Sequence, residues 1–363
     1  MKKNLLLLIL VLSVFGCKDQ KTITDLFDSQ KELSHKPLNV QEKSGGLLSP
    51  EDIEIKDNLM ITLNGRSEKY FSLIDNETNV LVKSWGSRGE GPGEIASLFD
   101  FYKNYNSTGI NAWDPMQRKL NFYSFENIVE NDTLLPVDLF SDFESIRQTN
   151  LTEDFYTNML QLSETLFMGQ GNNVGKRFTL IDIKNQTRVS VGDYPAADKV
   201  KGLRSIFRSQ AYNGLIRYNQ KQNRVVYMSI ESEMLEIFQV KGNYLNLIYG
   251  NYTTIPKYTV STGMINAVVE GYTNGKGRFV SVAVSDEKIY TLYKQYTKED
   301  SDPNIAPLIS NDASYILVFD WDGKPLQKYK LDCFVGGIKY DEKSNRFYAV
   351  KTKPDPELIY FEL

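Results

Sequence analysis

The feature that most constrains the fold is a pattern of strand, polar turn and second strand that recurs along the chain. An apolar run is followed by turn residues such as Asp, Asn, Lys or Gly, and a second apolar or β-branched run follows the turn. Copies of the pattern are centred on Phe71, Leu120, Phe178, Leu235, Ile316 and Leu358. Spacings of roughly 40 to 80 residues, with about four strands in each unit, are typical of propeller blades. The pattern predicts an all-β protein, a six-bladed β-propeller with four-stranded antiparallel blades; a pair of β-sandwiches is the alternative.

The last unit shows only three strand-like segments before the sequence ends. An open ring would leave unpaired strand edges, which invite aggregation. We therefore expect an N-terminal strand, near Leu38–Gln41, to complete this blade and close the ring. Residues 38–363 are predicted to form one domain, with insertions at 251–276 and 295–313 on its rim.

The first residues have the composition of a cleavable export signal. Lys2 and Lys3 precede the apolar run Leu5–Phe15, and Gly16 stands before Cys17. A basic start, a short apolar segment and a small residue before the cleavage point define a signal peptide, and the run is too short to span a bilayer. We expect residues 1–16 to be removed and Cys17 to carry a lipid, with residues 17–37 forming a flexible tether. An ordinary secreted protein with an incidental Cys17 is the alternative.

The charge balance limits the partners. The chain has 42 basic and 46 acidic side chains, a net charge of −4. Nucleic acid would require a strongly basic face, and anionic lipid would require a polybasic patch. We therefore expect no nucleic-acid partner, contact with the membrane through the lipid alone, and a monomer.

Histidine and cysteine are too scarce for several kinds of active site. The single histidine, His35, falls in the predicted tether, and the cysteines are Cys17 and Cys333. Without a histidine in the folded body, Ser-His-Asp and Cys-His catalytic systems and His-based zinc sites are excluded. Cys333 lies among apolar residues, so it is predicted to be a buried, inert thiol without a disulfide partner.

A glycine-rich segment, Ser87–Ile95, stands out within the predicted first blade. Its glycines resemble a phosphate-binding loop, but no Walker lysine follows them. Glycine can adopt the positive φ angles that tight turns require, so this segment is predicted to be a structural turn.

Two parts of the chain resemble a known family. They are Gly89–Glu94, which follows a Trp-Gly strand end, and Val318–Pro325, which is followed by Ile338–Asp341 and Arg346–Ala349. Together they look like the TolB-like six-bladed propeller lipoproteins of Bacteroidota-type bacteria, over about residues 45 to 363. The resemblance implies a propeller anchored in the cell envelope, on the outer membrane. It implies no settled activity and therefore no catalytic residues.

Three arginines near the predicted fourth blade are the first candidates for a binding site. They are Arg204, Arg208 and Arg217, whose side chains could reach the central channel. Convergent guanidinium groups could bind a carboxylate or a phosphate. Salt bridges with Glu231, Glu233 or Glu236 are the structural alternative.

The first insertion supplies aromatic candidates. Tyr252, Tyr258 and Tyr272 could stack on sugars or anchor a protein partner, or they could pack the loop onto its own blade. The acidic segment 299–304 is a poor match to a calcium loop, because Pro303 interrupts it and the expected glycine is missing. We therefore expect no cofactor or metal, with Ca²⁺ at this acidic segment as the weaker alternative.

These observations favour a non-catalytic, membrane-anchored binding module for a protein partner or a glycan. Nothing in the sequence assembles a nucleophile, a base and an orienting group. The alternative is a divalent-metal-dependent hydrolase or lactonase, with an all-oxygen site at the mouth of the channel. That alternative rests on fold-level analogy alone.

Overall fold

The computed structural model describes residues 22–41, 48–131, 134–142, 155–171, 175–196, 198, 205–259, 268–269, 277–295, 313–352 and 354–363. The chain forms a six-bladed β-propeller with four-stranded antiparallel blades. This confirms the predicted fold class.

The strands follow one another blade by blade. A short 3-10 helix, Ile23–Leu26, precedes β1 (Gln30–Leu33) and β2 (His35–Pro37). Blade 1 contains β3 (Pro50–Lys56), β4 (Leu59–Asn64), β5 (Lys69–Asp75) and β6 (Val80–Ser87). Blade 2 contains β7 (Asp100–Lys103), β8 (Gly109–Asp114), β9 (Lys119–Ser124), helix α1 (Phe125–Glu130) and β10 (Val137–Asp138). Blade 3 contains β11 (Tyr156–Gln161), β12 (Leu166–Gly171), β13 (Phe178–Asp182) and β14 (Thr187–Val191).

Helix α2 (Ser205–Ala211) leads into the second half of the ring. Blade 4 contains β15 (Gly214–Asn219), β16 (Arg224–Ser229), β17 (Leu235–Lys241) and β18 (Tyr244–Asn251), and the short pair β19 (Tyr258–Thr259) and β20 (Val268–Val269) follows it. Blade 5 contains β21 (Gly277–Val284), β22 (Lys288–Gln295), β23 (Ala313–Asp320) and β24 (Pro325–Leu331). Blade 6 contains β25 (Val335–Asp341), β26 (Arg346–Lys351) and β27 (Glu357–Glu362).

The recurring turn between strands has a local cause. At the end of β5, the Asp75 carboxylate accepts hydrogen bonds from the backbone N–H groups of Glu77 and Thr78, at 2.9 and 3.0 Å. Asp182 makes the same pair of bonds after β13, at 3.0 and 3.1 Å. Such Asx turns reverse the chain within a few residues, so an Asp at the end of an apolar run specifies the hairpin at these two positions.

The core is a series of aromatic and aliphatic clusters, several of which join neighbouring blades. Phe71 of blade 1, for example, packs against Phe101 and Tyr123 of blade 2, with ring centroids 5.8 Å apart in each case. Burying large aromatic side chains between sheets stabilises the whole ring, because no blade can bury both of its faces alone.

The predicted tether of residues 17–37 is wrong for the part that the structure describes. The expectation that the folded body holds no histidine is wrong with it, because His35 lies in β2. Ile23 is completely buried in a cluster formed by blades 4 and 5, and Phe27 packs edge-to-face on Phe319 at 5.2 Å. Strand β1 then pairs with β24 in parallel. The segment looked like a linker because the outward side chains of an edge strand face solvent, so β1 and β2 are largely polar.

The N-terminal strand of blade 6 lies slightly earlier than predicted. β2 pairs with β27 in antiparallel fashion, with His35 opposite Phe361, and so supplies the fourth strand of that sheet. Of the expected segment Leu38–Gln41, Leu38 continues the ladder through its N–H, which donates to the Leu358 carbonyl at 2.9 Å. Gln41 instead forms an isolated bridge with Val80 of blade 1.

Candidate binding site at the propeller axis

The innermost strands of all six blades line one cavity at the axis. These strands are β3, β7, β11, β15, β21 and β25, and the cavity has a volume of about 600 Å³. It opens where these strands end and turn outwards. A volume of this size is typical of sites for small ligands.

Three charged side chains in the cavity occupy equivalent positions. Glu54, Arg217 and Lys339 each lie two residues before the end of their innermost strand. Apolar residues flank each of them in sequence, as in Ile53-Glu54-Ile55. Because side chains alternate along a strand, the flanking residues pack between blades while the charged residue faces the axis.

Arg217 forms an ion pair across the ring. Its Nη1 and Nη2 atoms donate to the two carboxylate oxygens of Asp100, at 2.8 and 3.0 Å, and Nη1 also donates to the Ile216 carbonyl at 2.8 Å. The Nε atom of Arg217 is buried and has no hydrogen-bond partner among the described residues. One guanidinium N–H is therefore buried and unsatisfied beside the cavity.

Glu54 is shared by two lysines from neighbouring blades. Its carboxylate oxygens lie 3.3 Å from Lys339 Nζ and 3.8 Å from Lys103 Nζ. Burial alone would raise the pKa of Glu54, but Lys339, Lys103 and Arg217 together lower it below its ordinary value. Glu54 is therefore a carboxylate. Lys103 is about one-third exposed, with a side-chain exposure of 36%, so its ammonium group also faces the cavity.

Neutral hydrogen bonds hold the floor of the cavity in place. The hydroxyl of Tyr102 donates to the Met159 carbonyl at 2.6 Å and accepts from the Gln161 N–H at 3.1 Å. The Gln161 side-chain carbonyl accepts from Asn111 at 2.8 Å. Burial raises the pKa of Tyr102, so its hydroxyl stays protonated and keeps this donor.

The rim of the cavity is polar and includes the turns after β15 and β21. Asn219 Nδ2 donates to the Asp286 carbonyl at 2.8 Å, and Lys221 Nζ lies 3.2 Å from the Asp286 carboxylate. Among the described lining side chains there are four basic groups, those of Lys103, Arg217, Lys221 and Lys339, and two acidic groups, those of Glu54 and Asp286. With the nearby carboxyl groups of Asp100 and Asp52 included, the site has equal numbers of basic and acidic groups.

The structure separates the three candidate arginines. Arg217 lies at the axis and pairs with Asp100, not with the glutamates that we considered. Arg208 lies in α2, where its Nε donates to Asp198 at 2.8 Å and its guanidinium stacks 3.9 Å from the ring centre of Tyr194. Arg204 lies outside the described residues. Of the two candidate arginines that the structure describes, Arg217 alone lies at the axis.

The candidate tyrosines of the first insertion have structural partners. The Tyr252 hydroxyl donates to Glu236 at 2.7 Å, and the Tyr258 hydroxyl donates to Asp198 at 3.1 Å. Tyr258 is buried, so it offers no surface for stacking. Tyr252 stays partly exposed. Two of the predicted features lie outside the described residues. They are Tyr272 and residues 296–312 of the second insertion, which include the acidic segment 299–304.

The glycine-rich segment is held by the protein itself. Arg88 donates to the carbonyls of Ser67 and Asn64, both at 2.8 Å, and stacks 3.8 Å from the Tyr70 ring centre. The Gly91 N–H donates to the Glu94 side chain at 2.9 Å. Gly93 has a φ of +76°, which favours glycine. These contacts fit a structural turn.

Sequence reasoning missed four of the charged residues at the axis: Glu54, Asp100, Lys103 and Lys339. A usable signal was present for two of them. Glu54 and Lys339 each interrupt an apolar innermost strand, as Arg217 does. Asp100 and Lys103 carried no such signal, because β7 is only four residues long and both lie at its ends.

In an all-oxygen metal site several oxygen ligands surround one cation, whereas the axial carboxylates of Asp100 and Glu54 lie against basic side chains. Asp100 is engaged by Arg217, and Glu54 lies between Lys339 and Lys103. Among the described residues, one group of potential metal ligands lies away from the axis, at His35, Asp332 and Cys333.

Within the same described residues, no helix combines the length and the apolar character needed to cross a membrane. No curated protein matches the chain in sequence.

Solved structures share the fold at low sequence identity. A member of the DUF4221 family from Bacteroides vulgatus has 13% identity and a TM-score of 0.56, covering 92% of this chain and 98% of its own. A protein described as exported, from Bacteroides fragilis, has 12% identity and a TM-score of 0.51, covering 92% and 97%.

A family match extends over most of the chain and agrees with the blades described above. Residues 28–343 match the family described as TolB-like 6-blade propeller-like. The matched region begins just before β1 and ends after β25, so it contains the axial cavity. The chain therefore belongs to the TolB-like six-bladed propeller family.

Proposed function

We propose that this protein is a lipid-anchored protein of the cell envelope whose axial cavity binds the acidic end of a glycan. The observation that carries the proposal is the pair of unused donors in the cavity. Arg217 presents a buried Nε–H without a partner, and Lys103 contacts Glu54 at only 3.8 Å. A ligand carboxylate would satisfy both groups with charge-assisted hydrogen bonds.

The size and lining of the cavity favour a glycan over a protein partner. A volume of about 600 Å³ holds a small number of sugar rings, whereas a folded protein would need a broad, open surface. The side chains of Tyr105, Tyr218 and Tyr340 line the wall together with several amides. Tyrosine rings and amide groups suit the apolar faces and the hydroxyl groups of sugars.

The envelope location and the lipid anchor rest on the N-terminal sequence. Residues 1–16 have the signal-peptide pattern, and Cys17 follows the small residue Gly16. A structurally similar Bacteroides protein described as exported is consistent with this location. The outer membrane is the proposed site of anchoring.

A binding role is favoured over metal-dependent hydrolysis by the pairing of the axial acids. An oxygen-ligated divalent cation needs several carboxylate or carbonyl oxygens turned towards one point. At this axis the basic groups of Arg217, Lys103 and Lys339 lie against the available carboxylates. A cation placed there would meet strong repulsion from three positive charges.

Calorimetric titration with defined oligosaccharides tests the proposal. Oligogalacturonates carry a carboxylate on each sugar, whereas malto-oligosaccharides of equal length carry none. We expect measurable binding of the acidic series only. Lys103→Gln is expected to weaken this binding at least ~10-fold, because it removes one charge-assisted contact. Lys330→Gln is the matched control, since Lys330 also lies 3.8 Å from a carboxylate, that of Glu32, but away from the cavity.

Two outcomes would overturn the proposal. Equal affinity for the neutral series would remove the role of the carboxylate. Equal weakening by Lys103→Gln and Lys330→Gln would show that binding is not at the axis.

A further inference from the structure

The only histidine of the chain meets the only cysteine of the folded domain at the junction of blades 5 and 6. His35 lies in β2, and Asp332 and Cys333 lie in the turn between β24 and β25. Each of the three residues has a potential metal-ligand atom, and these atoms all lie within 4.8 Å of one another. His35 is almost 300 positions from Asp332 and Cys333 in sequence, so it is folding that brings the three residues together.

We propose that His35, Asp332 and Cys333 form a zinc-binding site that fastens the N-terminal strand to the ring. An imidazole nitrogen, a carboxylate oxygen and a thiolate sulfur are the three kinds of ligand that Zn²⁺ uses in proteins. This mixed set favours a borderline-soft cation over Ca²⁺ or Mg²⁺, which prefer oxygen ligands alone.

The backbone already holds the three residues in place. The Asp332 N–H donates to the Leu33 carbonyl at 3.2 Å, and the His35 N–H donates to the Asp332 carboxylate at 3.2 Å. His35 Nδ1 lies 3.0 Å from Asp332 Oδ1. Ligands around tetrahedral zinc are about 3.3–3.8 Å apart, given bond lengths of roughly 2.0–2.3 Å, so small side-chain rotations bring the group to that geometry.

The exposure of the group suits a site with one open position. The side chains of His35 and Asp332 are 27% and 39% exposed, and Cys333 is half-buried. Solvent can therefore deliver the cation and supply a water molecule as the fourth ligand. The neighbouring ion pair, Lys351 with Glu357 at 3.1 Å, adds no net charge beside the thiol.

Zinc uptake would exchange one proton for the metal. A thiol is mostly protonated at neutral pH, because its ordinary pKa is about 8.5. Binding forms the Zn–S bond, breaks the S–H bond and releases that proton to the buffer. No oxidant or reductant is needed. The site would act on stability and not on ligand binding, because it lies on the outer part of blades 5 and 6, away from the axial cavity.

Metal titration of the full chain tests the proposal, in a Cys17→Ala background that leaves Cys333 as the sole thiol. We expect one Zn²⁺ per chain by calorimetry and a rise of the thermal midpoint with added Zn²⁺. Co²⁺, used as a spectroscopic substitute, should give a thiolate-to-cobalt charge-transfer band, which carboxylate binding alone cannot produce.

Substitutions assign the ligands. His35→Gln and Cys333→Ser are each expected to weaken Zn²⁺ binding at least ~10-fold and to abolish the thermal shift. Asp57→Asn is the matched control, because Asp57 is an exposed carboxylate in the turn after β3 and should leave both readouts unchanged. Circular dichroism without metal shows whether each variant still folds.

The proposal fails if the Cys17→Ala chain binds no Zn²⁺. It also fails if folded His35→Gln and Cys333→Ser variants bind Zn²⁺ as tightly as their parent. Neither result bears on glycan binding at the axis, which has its own titration.

Discussion

Arg217 and Asp100 face each other across the propeller axis, from blade 4 and blade 2, and form two hydrogen bonds of 2.8 and 3.0 Å. Blade 3 lies between these blades in the ring, so the ion pair joins strands that are not neighbours. Both side chains are largely buried, at 10% and 14% exposure. Such a pair holds blades 2 and 4 at a fixed spacing across the cavity. Each buried charge is stabilised by the other, so removing one of them destabilises its partner.

Removing the acid of this pair is expected to destabilise the domain. Asp100→Asn removes the hydrogen-bonded counter-charge of the buried Arg217 and leaves only the weaker attraction of Glu54 and Asp52, which costs at most about 3–5 kcal/mol of unfolding free energy. Asp100→Leu combined with Arg217→Met should recover most of that loss, because neither charge remains. Urea denaturation of the three proteins checks this. The exposed pair Lys221 with Asp286 is the comparison, and Asp286→Asn should cost less than ~1 kcal/mol.

The stability of the domain is expected to depend on pH through Glu54. Its pKa in the folded protein lies below the ordinary value of 4.5, because the attraction of Lys339, Lys103 and Arg217 outweighs the effect of burial. A lowered folded pKa means that the stabilising contribution is complete above the unfolded pKa and is lost as the pH falls through the folded one.

Thermal melts of the wild type and Glu54→Gln should therefore differ most above about pH 4.5 and converge at lower pH. A Glu90→Gln variant, which removes an exposed carboxylate from the glycine-rich segment, corrects for the general loss of one negative charge. A constant difference between wild type and Glu54→Gln at every pH would contradict the expected ion pairing.

The N-terminal segment is expected to contribute to the stability of the whole ring. A chain that begins at residue 38 lacks the buried side chains of Ile23, Phe27 and Leu33 as well as both N-terminal strands. At ~1.5–3 kcal/mol for each large apolar side chain, we expect a loss of roughly 5 kcal/mol or more. A chain that begins at residue 22 is the control and should keep its thermal midpoint. Equal midpoints for the two truncations would argue against ring closure by β2.

The lipid anchor has a direct genetic test. Cys17→Ala removes the thiol that would be acylated, so the protein should leave the membrane fraction after export. Ser13→Ala is a control within the same N-terminal segment and should leave fractionation unchanged. Unaltered membrane retention of Cys17→Ala, measured by fractionation and immunoblotting, would exclude this cysteine as the anchor.

The fold was predictable because its repeat depends on local turn-forming residues. Asp75 and Asp182, for example, each end an apolar run and make the same Asx turn. The N-terminal strands were not predictable, because β2 packs at an outer edge and its polar side chains face solvent. A polar edge strand and a linker have the same composition. The pairing of β2 with β27 distinguishes the two, and it exists only in the folded protein.

The candidate site was predictable in part. Arg217 was identified because it lies close in sequence to two other arginines near the start of the fourth blade. It also interrupts an apolar strand, as Glu54 and Lys339 do, and that signal was not used. Proximity in sequence was misleading for Arg208, which lies in helix α2 and pairs with Asp198. Ion pairs across the ring, such as that of Arg217 with Asp100, depend on how the blades are arranged in space. No local sequence pattern predicts that arrangement.

The burial of Ile23 sets how far the propeller can stand from a membrane. With a lipid on Cys17, six peptide units separate the acylated residue from a side chain enclosed between blades 4 and 5. Fully extended, they span about 20 Å at most. So short a connection would hold the propeller close to the bilayer surface. Its ligand would then have to arrive in the layer of solvent next to the lipid headgroups.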